Sequence, residues 1–319
     1  MSSPAVFNVT TWPNAVAAVM MLLTSSLGFF FNAVVIHNFI SDQHEKSSFN
    51  LICVFRAANN IFILVVAILG IFLPATITGF SFYPPIVESI LIVTAVNLMV
   101  FNEFQGVYLA VNRLMAIYFP LKYNLFFGIK LTLFFHILYY ADRVRNVIME
   151  TVDRHNGSNY MLFSTEHLAY GGIIVAPDGM FIWAISLIIF PFLVNAVTYV
   201  KIFLLKKKAS RNSEHWKKAK QNMTQFFQTV LQDSLFSISV IFSLKLNTLI
   251  DHRFWTFFTQ TFVWQSVHVL DGFIMLMFNE KLSLLKKRIA AKISPADTVA
   301  KHAEHSAKQT STALPDVAH

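Results

Sequence analysis

Charged side chains are scarce in this chain of 319 residues. Lysine, arginine, aspartate and glutamate together make up 13% of it, whereas a soluble domain usually carries about 25%. Hydrophobic residues account for 55%, phenylalanine alone occurs 33 times, and the mean hydropathy is +0.55. This composition argues against a soluble helical protein and favours a chain that lies largely in lipid.

Cysteine is nearly absent as well. The single cysteine, Cys53, lies inside an apolar segment, so no intramolecular disulfide can form and a thiol-rich metal site is excluded. The chain contains no Walker phosphate-binding loop and no nucleophile elbow. The histidines of its apolar segments are not spaced as paired metal ligands. We therefore predict no catalytic residues, no metal ligands and no cofactor.

Seven long apolar segments, separated by short polar breaks, make up most of the sequence. About 20 apolar residues are needed for a helix to cross a membrane, and six of the segments meet this length. Helices satisfy their own backbone in lipid, so the sequence predicts an all-α membrane protein, a bundle of seven transmembrane helices. The segments are roughly Val16–Ile40, Phe49–Leu73, Ile86–Leu109, Leu125–Tyr140, Phe181–Leu205, Phe226–Ile250 and Phe254–Phe278.

The fourth segment is the shortest. Residues Leu125–Ala141 give 17 positions and include Lys130, and the charges from Asp142 to Arg145 are expected to end the helix. This length lies at the lower limit for a span.

The basic residues predict the orientation of the chain. If the amino terminus lies outside, 19 of the 25 lysines and arginines fall on the inner side and four on the outer side. Cytoplasmic loops collect lysine and arginine, so we predict the amino terminus outside and the carboxyl terminus inside. The net charge of +8 then reflects topology and contact with anionic lipid rather than nucleic-acid binding. The sequons at Asn8 and Asn156 are predicted to be glycosylated outside, and Asn222 to stay unmodified inside.

The spans also set the predicted domain boundaries. Residues 1–15 form a short extracellular amino terminus and residues 16–280 the seven-span domain. The basic loop Lys206–Asn222 is expected to extend the fifth and sixth helices. Residues 281–293 are predicted to form a short amphipathic cytoplasmic helix after the seventh span, and residues 294–319 a disordered tail.

Two strings of residues carry a family resemblance. Asn112-Arg113 follow the third segment at the predicted inner end of its helix, with Pro120 and Tyr123 after them. This string resembles the Asp/Glu-Arg-Tyr region of rhodopsin-like receptors. The seventh segment contains FVWQSVHVLDG, which begins at Phe262. Together the two strings resemble the nematode serpentine chemoreceptor class x (Srx) family, whose members are seven-helix G-protein-coupled receptors.

The resemblance covers about Leu27 to Ile289. It implies a multi-pass receptor of the plasma membrane, with sensory cilia as an expected location, that binds a small external molecule and couples to a heterotrimeric G protein. The residues implied in coupling are Asn112, Arg113, Pro120, Tyr123 and Tyr199. The residues expected to bind a ligand are Met99, Phe181, Trp183, Phe262, Trp264, Gln265 and His268.

Asp271 lies in the middle of the seventh segment, where an unpaired charge is costly. We predict that Asn32, Asn60 and Asn102 surround it in a buried polar network, and we favour amides and water over a sodium ion as its partners. On this view Asp271→Asn should preserve folding. Arg56 is interpreted as a side chain that reaches from the end of its span towards the interface.

Two positions depart from the pattern of rhodopsin-like receptors. Glu88 stands 25 residues before Arg113, where the resemblance implies a disulfide cysteine. Gly272 replaces the proline that follows Asp271 in the seventh-helix motif. We therefore expect outer loops without a covalent link.

Three alternatives stay open. A transporter or channel would carry several ionisable residues along its spans and helices broken in matching halves, whereas Glu103, Asp233 and Asp271 are few and lack that symmetry. A membrane enzyme would need a catalytic cluster. A receptor-like copy that no longer signals would fit the short fourth segment and the missing disulfide.

Overall fold

The computed structural model describes residues 12–42, 46–171, 178–208 and 214–278. The chain divides into two compact units, Met1–Leu276 and Met277–His319. Only two residues of the second unit, 277 and 278, are described. The predicted amphipathic helix 281–293 and tail 294–319 lie outside the described residues, as does the predicted amino terminus up to residue 11.

Seven helical spans form a bundle, as the sequence predicts. Six of them are long and apolar enough to cross a membrane. Span 1 is α1 (Trp12–Ser41); span 2 joins α2 (Ser48–Phe62), a π-helical stretch (Ile63–Phe72) and α3 (Leu73–Thr78); span 3 is α4 (Pro85–Tyr118). The short α5 (Tyr123–Phe127) precedes span 4, which is α6 (Ile129–Asn156). Span 5 is α7 (Asp178–Lys208); span 6 is α8 (Glu214–Leu244), followed by a 3-10 turn (Leu246–Thr248); span 7 joins α9 (Arg253–Thr256), a second π-helical stretch (Phe257–Phe262) and α10 (Val263–Met277).

Local residue chemistry sets several helix ends. The Ser47 hydroxyl accepts a hydrogen bond from the backbone N–H of Asn50 at 3.2 Å and so caps the start of α2. Gly79, with φ of 82°, takes the left-handed conformation that ends α3. Pro85 begins α4, where its missing N–H leaves no helical hydrogen bond unmade.

Span 4 is longer than predicted. The expectation that the helix ends at Asp142 is wrong, because α6 runs on to Asn156 and has 28 residues. The charges do not break it, because they pair with one another along the helix: Arg145 with Asp142 at 2.8 Å, and Arg154 with Glu150 at 2.8 Å. The fourth span is therefore a full-length helix.

A small β-hairpin follows α6. Strand β1 (Phe163–Ser164) pairs antiparallel with β2 (Ala169–Tyr170), and Phe163 lies opposite Tyr170. We call residues 163–170 the hairpin, and the end of the bundle that carries it the hairpin end. The opposite end, where α4 carries Arg113, is the Arg113 end. Along α4 the two ends are separated by 25 residues between Glu88 and Arg113, or about 37 Å.

The main hydrophobic core lies at the hairpin end. It joins residues of spans 1, 2, 3 and 7 to the hairpin, with Phe72 and Phe257 among its fully buried members. Large apolar side chains also cover the outside of the bundle, and Phe30 and Phe134 are 58% and 53% exposed. An apolar exterior of this extent suits a lipid environment.

Candidate functional site

An ion pair lies buried in the bundle between spans 2 and 7. Arg56 Nη2 donates to Asp271 Oδ1 at 2.9 Å, and Arg56 Nε donates to Asp271 Oδ2 at 3.3 Å. The side chains are only 5% and 3% exposed. The interpretation of Arg56 as an interfacial side chain is therefore wrong. Arg56 lies two turns inside α2, and its guanidinium points into the bundle.

Two further donors complete the surroundings of Asp271. Asn60 Nδ2 donates to Oδ2 at 2.8 Å, and Gln232 Nε2 of span 6 donates to Oδ1 at 2.7 Å. Arg56 also donates to the backbone carbonyl of Asn102 at 2.9 Å. The carboxylate thus accepts four hydrogen bonds from three residues, which is how a buried charge is stabilised.

The structure brings all four members of the predicted polar network into contact. Asn60 Nδ2 donates to Asn32 Oδ1 at 3.1 Å, and Asn102 Nδ2 donates to Asn60 Oδ1 at 2.8 Å. His268 Nδ1 lies 2.8 Å from the same Asn60 oxygen, so this nitrogen carries the hydrogen. Asn60 is therefore the centre of the network. Its effect on signalling stays a prediction.

Further polar contacts extend the network to the remaining spans. Asn59 Nδ2 donates to Asn102 Oδ1 at 2.9 Å, and the Tyr140 hydroxyl of span 4 donates to Asn59 Oδ1 at 2.7 Å. Asn195 of span 5 donates to Asp233 of span 6 at 2.9 Å. Asp233 and Glu103 both interact electrostatically with Arg56. One guanidinium thus interacts with three acidic side chains, and side chains from all seven spans take part.

Gly272 makes the contact between spans 1 and 7 possible. A Cβ atom at this position would lie 2.5 Å from Asn32 Nδ2. Asn32 reaches past it to donate to the backbone carbonyl of His268 at 3.2 Å. The glycine that replaces the proline of rhodopsin-like receptors therefore has a packing reason.

At the Arg113 end of the bundle, the described contacts of the Arg113 side chain are with uncharged groups. Its side chain is 4% exposed, and its guanidinium carbon lies 3.6 Å from the centre of the Phe49 ring. Arg113 also donates to Gln225 Oε1 of span 6. Within the described part of the chain, its Nε and Nη2 atoms have no hydrogen-bond partner. No carboxylate neutralises this cation in the contacts described.

The other predicted coupling residues fall into two groups. Asn112 lies beside Arg113 and donates to the Tyr123 hydroxyl at 3.1 Å, and this hydroxyl also lies 2.8 Å from Ser48 Oγ. Pro120 lies in the exposed turn after α4. Tyr199 is 42% exposed, with its ring 5.6 Å from that of Phe226.

The predicted ligand residues whose side chains are described point in different directions. Trp264 is 2% exposed, and its Nε1 donates to Met99 Sδ at 2.9 Å. Gln265 turns instead towards span 1, where it donates to Met21 O at 3.0 Å, and His268 turns towards Asn60. Phe262 packs against the core at the hairpin end. Phe181 and Trp183 lie on α7, in a stretch whose side chains are outside the described part.

Comparison with known families decides the relationship. The family described as serpentine type 7TM GPCR chemoreceptor Srx matches residues 22–279. The chain belongs to this family. The resemblance drawn from the two sequence strings is thereby confirmed, and the family is one of multi-pass membrane receptors rather than enzymes. No curated protein matches the chain.

In this Srx receptor the hairpin is tied to span 3 without a disulfide. Glu88 is 1% exposed, and its Oε1 accepts the backbone N–H of Phe163 at 2.7 Å. The neighbouring Ser89 Oγ accepts the N–H of Met161 at 3.0 Å. The position of the implied cysteine therefore carries a hydrogen-bonded link to the same loop. Burial raises the pKa of Tyr170, at the end of the hairpin, to about 12.

Sequence reasoning missed the partner of Asp271. A usable signal was present, because Arg56 and Asp271 are opposite charges inside two apolar segments and each needs a counter-charge. Gln232 and Tyr140 were also missed. No sequence pattern marks them, since they reach the network only through the way spans 6 and 4 pack.

The link from Glu88 to the hairpin can be tested directly. We expect Glu88→Ala to lower the apparent melting temperature of the receptor, because the buried N–H of Phe163 would lose its acceptor at a cost of about 1–3 kcal/mol. Glu88→Gln keeps an acceptor oxygen and should restore most of the loss. Glu166→Ala, at an exposed hairpin position, is the control. Equal apparent melting temperatures for Glu88→Ala and Glu166→Ala would contradict the link between Glu88 and the hairpin.

Proposed function

We propose that this chain is a chemosensory receptor that binds a small external molecule at the hairpin end and couples to a heterotrimeric G protein at the Arg113 end. Membership of the chemoreceptor family supports the receptor role. The two features that favoured a copy without signalling carry less weight, since α6 is a full-length helix and Glu88 links the hairpin to span 3.

The arrangement of Arg113 carries the proposal. The guanidinium is buried between Phe49 of span 2 and Gln225 of span 6, two neutral groups that a movement of span 6 would separate. Two of its nitrogens lack partners among the described residues. A partner protein that offers carbonyl or carboxylate oxygens would complete the hydrogen bonds of Arg113, and so favour the arrangement in which span 6 has moved away.

The proposal is tested by expressing the chain in cells and recording calcium or second-messenger responses to a panel of small external chemicals. A response that depends on the chain supports the receptor role. If cells with verified surface expression respond no differently from untransfected cells across the panel, and the purified receptor does not accelerate nucleotide exchange on any heterotrimeric G protein, the proposal fails.

We further propose that the hairpin end faces outside, in the plasma membrane and with sensory cilia as the expected site. The charge distribution supports this orientation, with 19 basic residues on the inner side and four on the outer. Asn156 is exposed at the end of α6 next to the hairpin, whereas Asn222 lies on α8 one turn from Gln225, at the Arg113 end. Asn8 lies outside the described residues.

We expect Asn156 and Asn8 to carry glycans and Asn222 to carry none, because only the outer face meets the glycosylation machinery. Single Asn→Gln variants at the three positions, compared by their mobility before and after glycosidase treatment, check this. A mobility shift that disappears in Asn222→Gln would reverse the orientation.

A further inference from the structure

The hairpin is part of the core that contains or contacts three of the seven residues predicted to bind a ligand. Phe163 stacks on Phe72 of span 2 with ring centres 4.4 Å apart, and Tyr170 lies 4.9 Å from the ring of Trp264. Phe163 and Leu168 are 6% and 0% exposed. Both belong to the same core as Trp264, and Met99 and Phe262 pack against that core. Three predicted ligand residues therefore contact a core that the protein's own loop fills.

Leu168 is buried in the core although its backbone adopts a conformation that leucine disfavours. Its φ is 53°, in the left-handed region that leucine rarely adopts, yet its side chain is completely buried. The Thr261 hydroxyl of span 7 holds it there by donating to the Leu168 carbonyl at 2.7 Å. Strain of this kind persists only where the surrounding contacts impose it, and it concentrates at ligand sites and switch regions.

Polar groups from two spans complete the attachment. Glu88 of span 3 accepts the N–H of Phe163 at 2.7 Å, and Thr261 of span 7 donates to Leu168. Both Glu88 and Thr261 are almost fully buried, at 1% and 0% exposed. We call the group formed by Phe72, Glu88, Met99, Thr261 and Trp264 the hairpin seat. If the hairpin leaves, the seat exposes an aromatic surface, one acceptor and one hydroxyl donor.

We propose that the hairpin is a built-in occupant of the ligand site, and that the external ligand is a compact aromatic molecule with an N–H donor and a carbonyl acceptor that displaces Phe163 and Leu168 from the hairpin seat. This inference rests on the proposed receptor function and names the chemical class that its site accepts. The ring replaces Phe163 on Phe72, the N–H replaces the backbone donor to Glu88, and the carbonyl replaces the acceptor for Thr261.

The test uses full-length receptor in lipid nanodiscs and a labelled synthetic peptide with the sequence of residues 161–171, MLFSTEHLAYG. The double variant Phe163→Ala/Leu168→Ala empties the seat. The matched control Glu166→Ala/His167→Ala changes two exposed hairpin positions and leaves the seat filled. We expect the peptide to bind the emptied receptor at least about tenfold more tightly than wild type or control, because the tethered hairpin competes at a high effective concentration. Equal affinity for all three receptors overturns the inference.

The ligand class is tested by competition for the bound peptide. N-acetylphenylalanine amide carries a ring, N–H donors and carbonyl groups, whereas toluene carries the ring alone. We expect the amide to compete at least about tenfold more strongly, because buried polar groups reject an analogue that leaves them unpaired. Equal competition by toluene would overturn the assignment of the ligand class.

A second measurement covers the case in which the double variant fails to fold. Leu168→Cys in a Cys53→Ser background places the only thiol of the chain within the seat. Excess peptide should expose this thiol and raise its rate of maleimide labelling at least about tenfold. A labelling rate that the peptide does not change overturns the inference.

Parallel nucleotide-exchange assays separate this inference from the proposed function. Peptide binding to the seat without any receptor-dependent exchange supports the seat and refutes G-protein coupling. Exchange driven by a chemical that leaves peptide binding and thiol labelling unchanged supports the receptor role and refutes the seat.

Discussion

Arg56→Met is expected to abolish surface expression of the receptor. The substitution leaves Asp271 without its ion-pair partner, and removal of one member of a buried pair costs about 3–5 kcal/mol. It also removes the guanidinium that interacts electrostatically with Glu103 and Asp233, so three acidic side chains would be left in the bundle without it. A loss of this size is a large fraction of a typical folding free energy of about 5–15 kcal/mol.

The matching substitution on span 7, Asp271→Asn, should also destabilise the receptor, but less than Arg56→Met does. Asp271→Asn leaves Arg56 without its direct partner, while Asp233 still interacts electrostatically with Arg56 and can compensate part of its charge. The sequence alone predicted that Asp271→Asn would preserve folding, since it placed only amides around the carboxylate. The ion pair with Arg56 reverses that expectation, so we now expect low expression and a lowered melting temperature for this variant.

The double variant Arg56→Met/Asp271→Asn decides whether the pair acts as a unit. Removal of both charges avoids an uncompensated ion, and asparagine retains an acceptor for Gln232 and Asn60. We therefore expect the double variant to be more stable than Arg56→Met alone, with an interaction energy of at least about 1 kcal/mol in a double-mutant cycle of apparent melting temperatures.

The exposed pair between Arg145 and Asp142 provides a control in the same chain. Arg145 is 71% exposed, so Arg145→Met should change stability by less than about 1 kcal/mol. If the stability losses of the single variants at Arg56 and Asp271 add up in the double variant, the two side chains act independently.

Arg113→Ala is expected to abolish G-protein coupling while surface expression stays close to that of wild type. The side chain touches only Phe49 and Gln225 among its described polar and ring contacts, and two of its nitrogens are unpaired there. Since no carboxylate pairs with Arg113 among its described contacts, its removal leaves no buried carboxylate without a partner. We expect at least a tenfold fall in receptor-dependent nucleotide exchange, or ~1.4 kcal/mol.

The measurement compares receptors at matched surface density, with Lys122→Ala as the control. Lys122 is an exposed basic residue at the same end of the bundle, so it tests whether positive charge alone supports coupling. Gln225→Leu removes the hydrogen bond that ties Arg113 to span 6 and should raise basal exchange. Wild-type exchange rates in Arg113→Ala would show that coupling does not need this side chain.

The hairpin and the buried network lie in contact through one helix. Trp264 touches Tyr170 of the hairpin, and its ring centre lies 5.8 Å from that of His268, one turn along α10. His268 in turn bonds Asn60, which bonds Asp271. A displaced hairpin would change the packing of Trp264, so thiol labelling of Leu168→Cys in the Arg56→Met/Asp271→Asn background measures whether the two sites are coupled.

The sequence by itself determined the class of the molecule. Seven apolar segments predict seven spans because backbone groups in lipid must be paired within each helix. The two strings around Arg113 and Asp271 were enough to identify the family. Asparagines in apolar segments predict a buried network, because an amide in lipid needs partners. These inferences use information that is local to one segment.

Only the tertiary structure decided which side chains meet. The partners Arg56 and Asp271 are 215 residues apart, and their pairing depends on the rotation of spans 2 and 7 about their axes. The length of α6 depends on ion pairs that let charged residues remain helical. The hairpin is held against the bundle because Glu88 and Thr261 approach it from different spans. Such contacts arise from packing between distant segments and cannot be inferred from residue spacing along the chain.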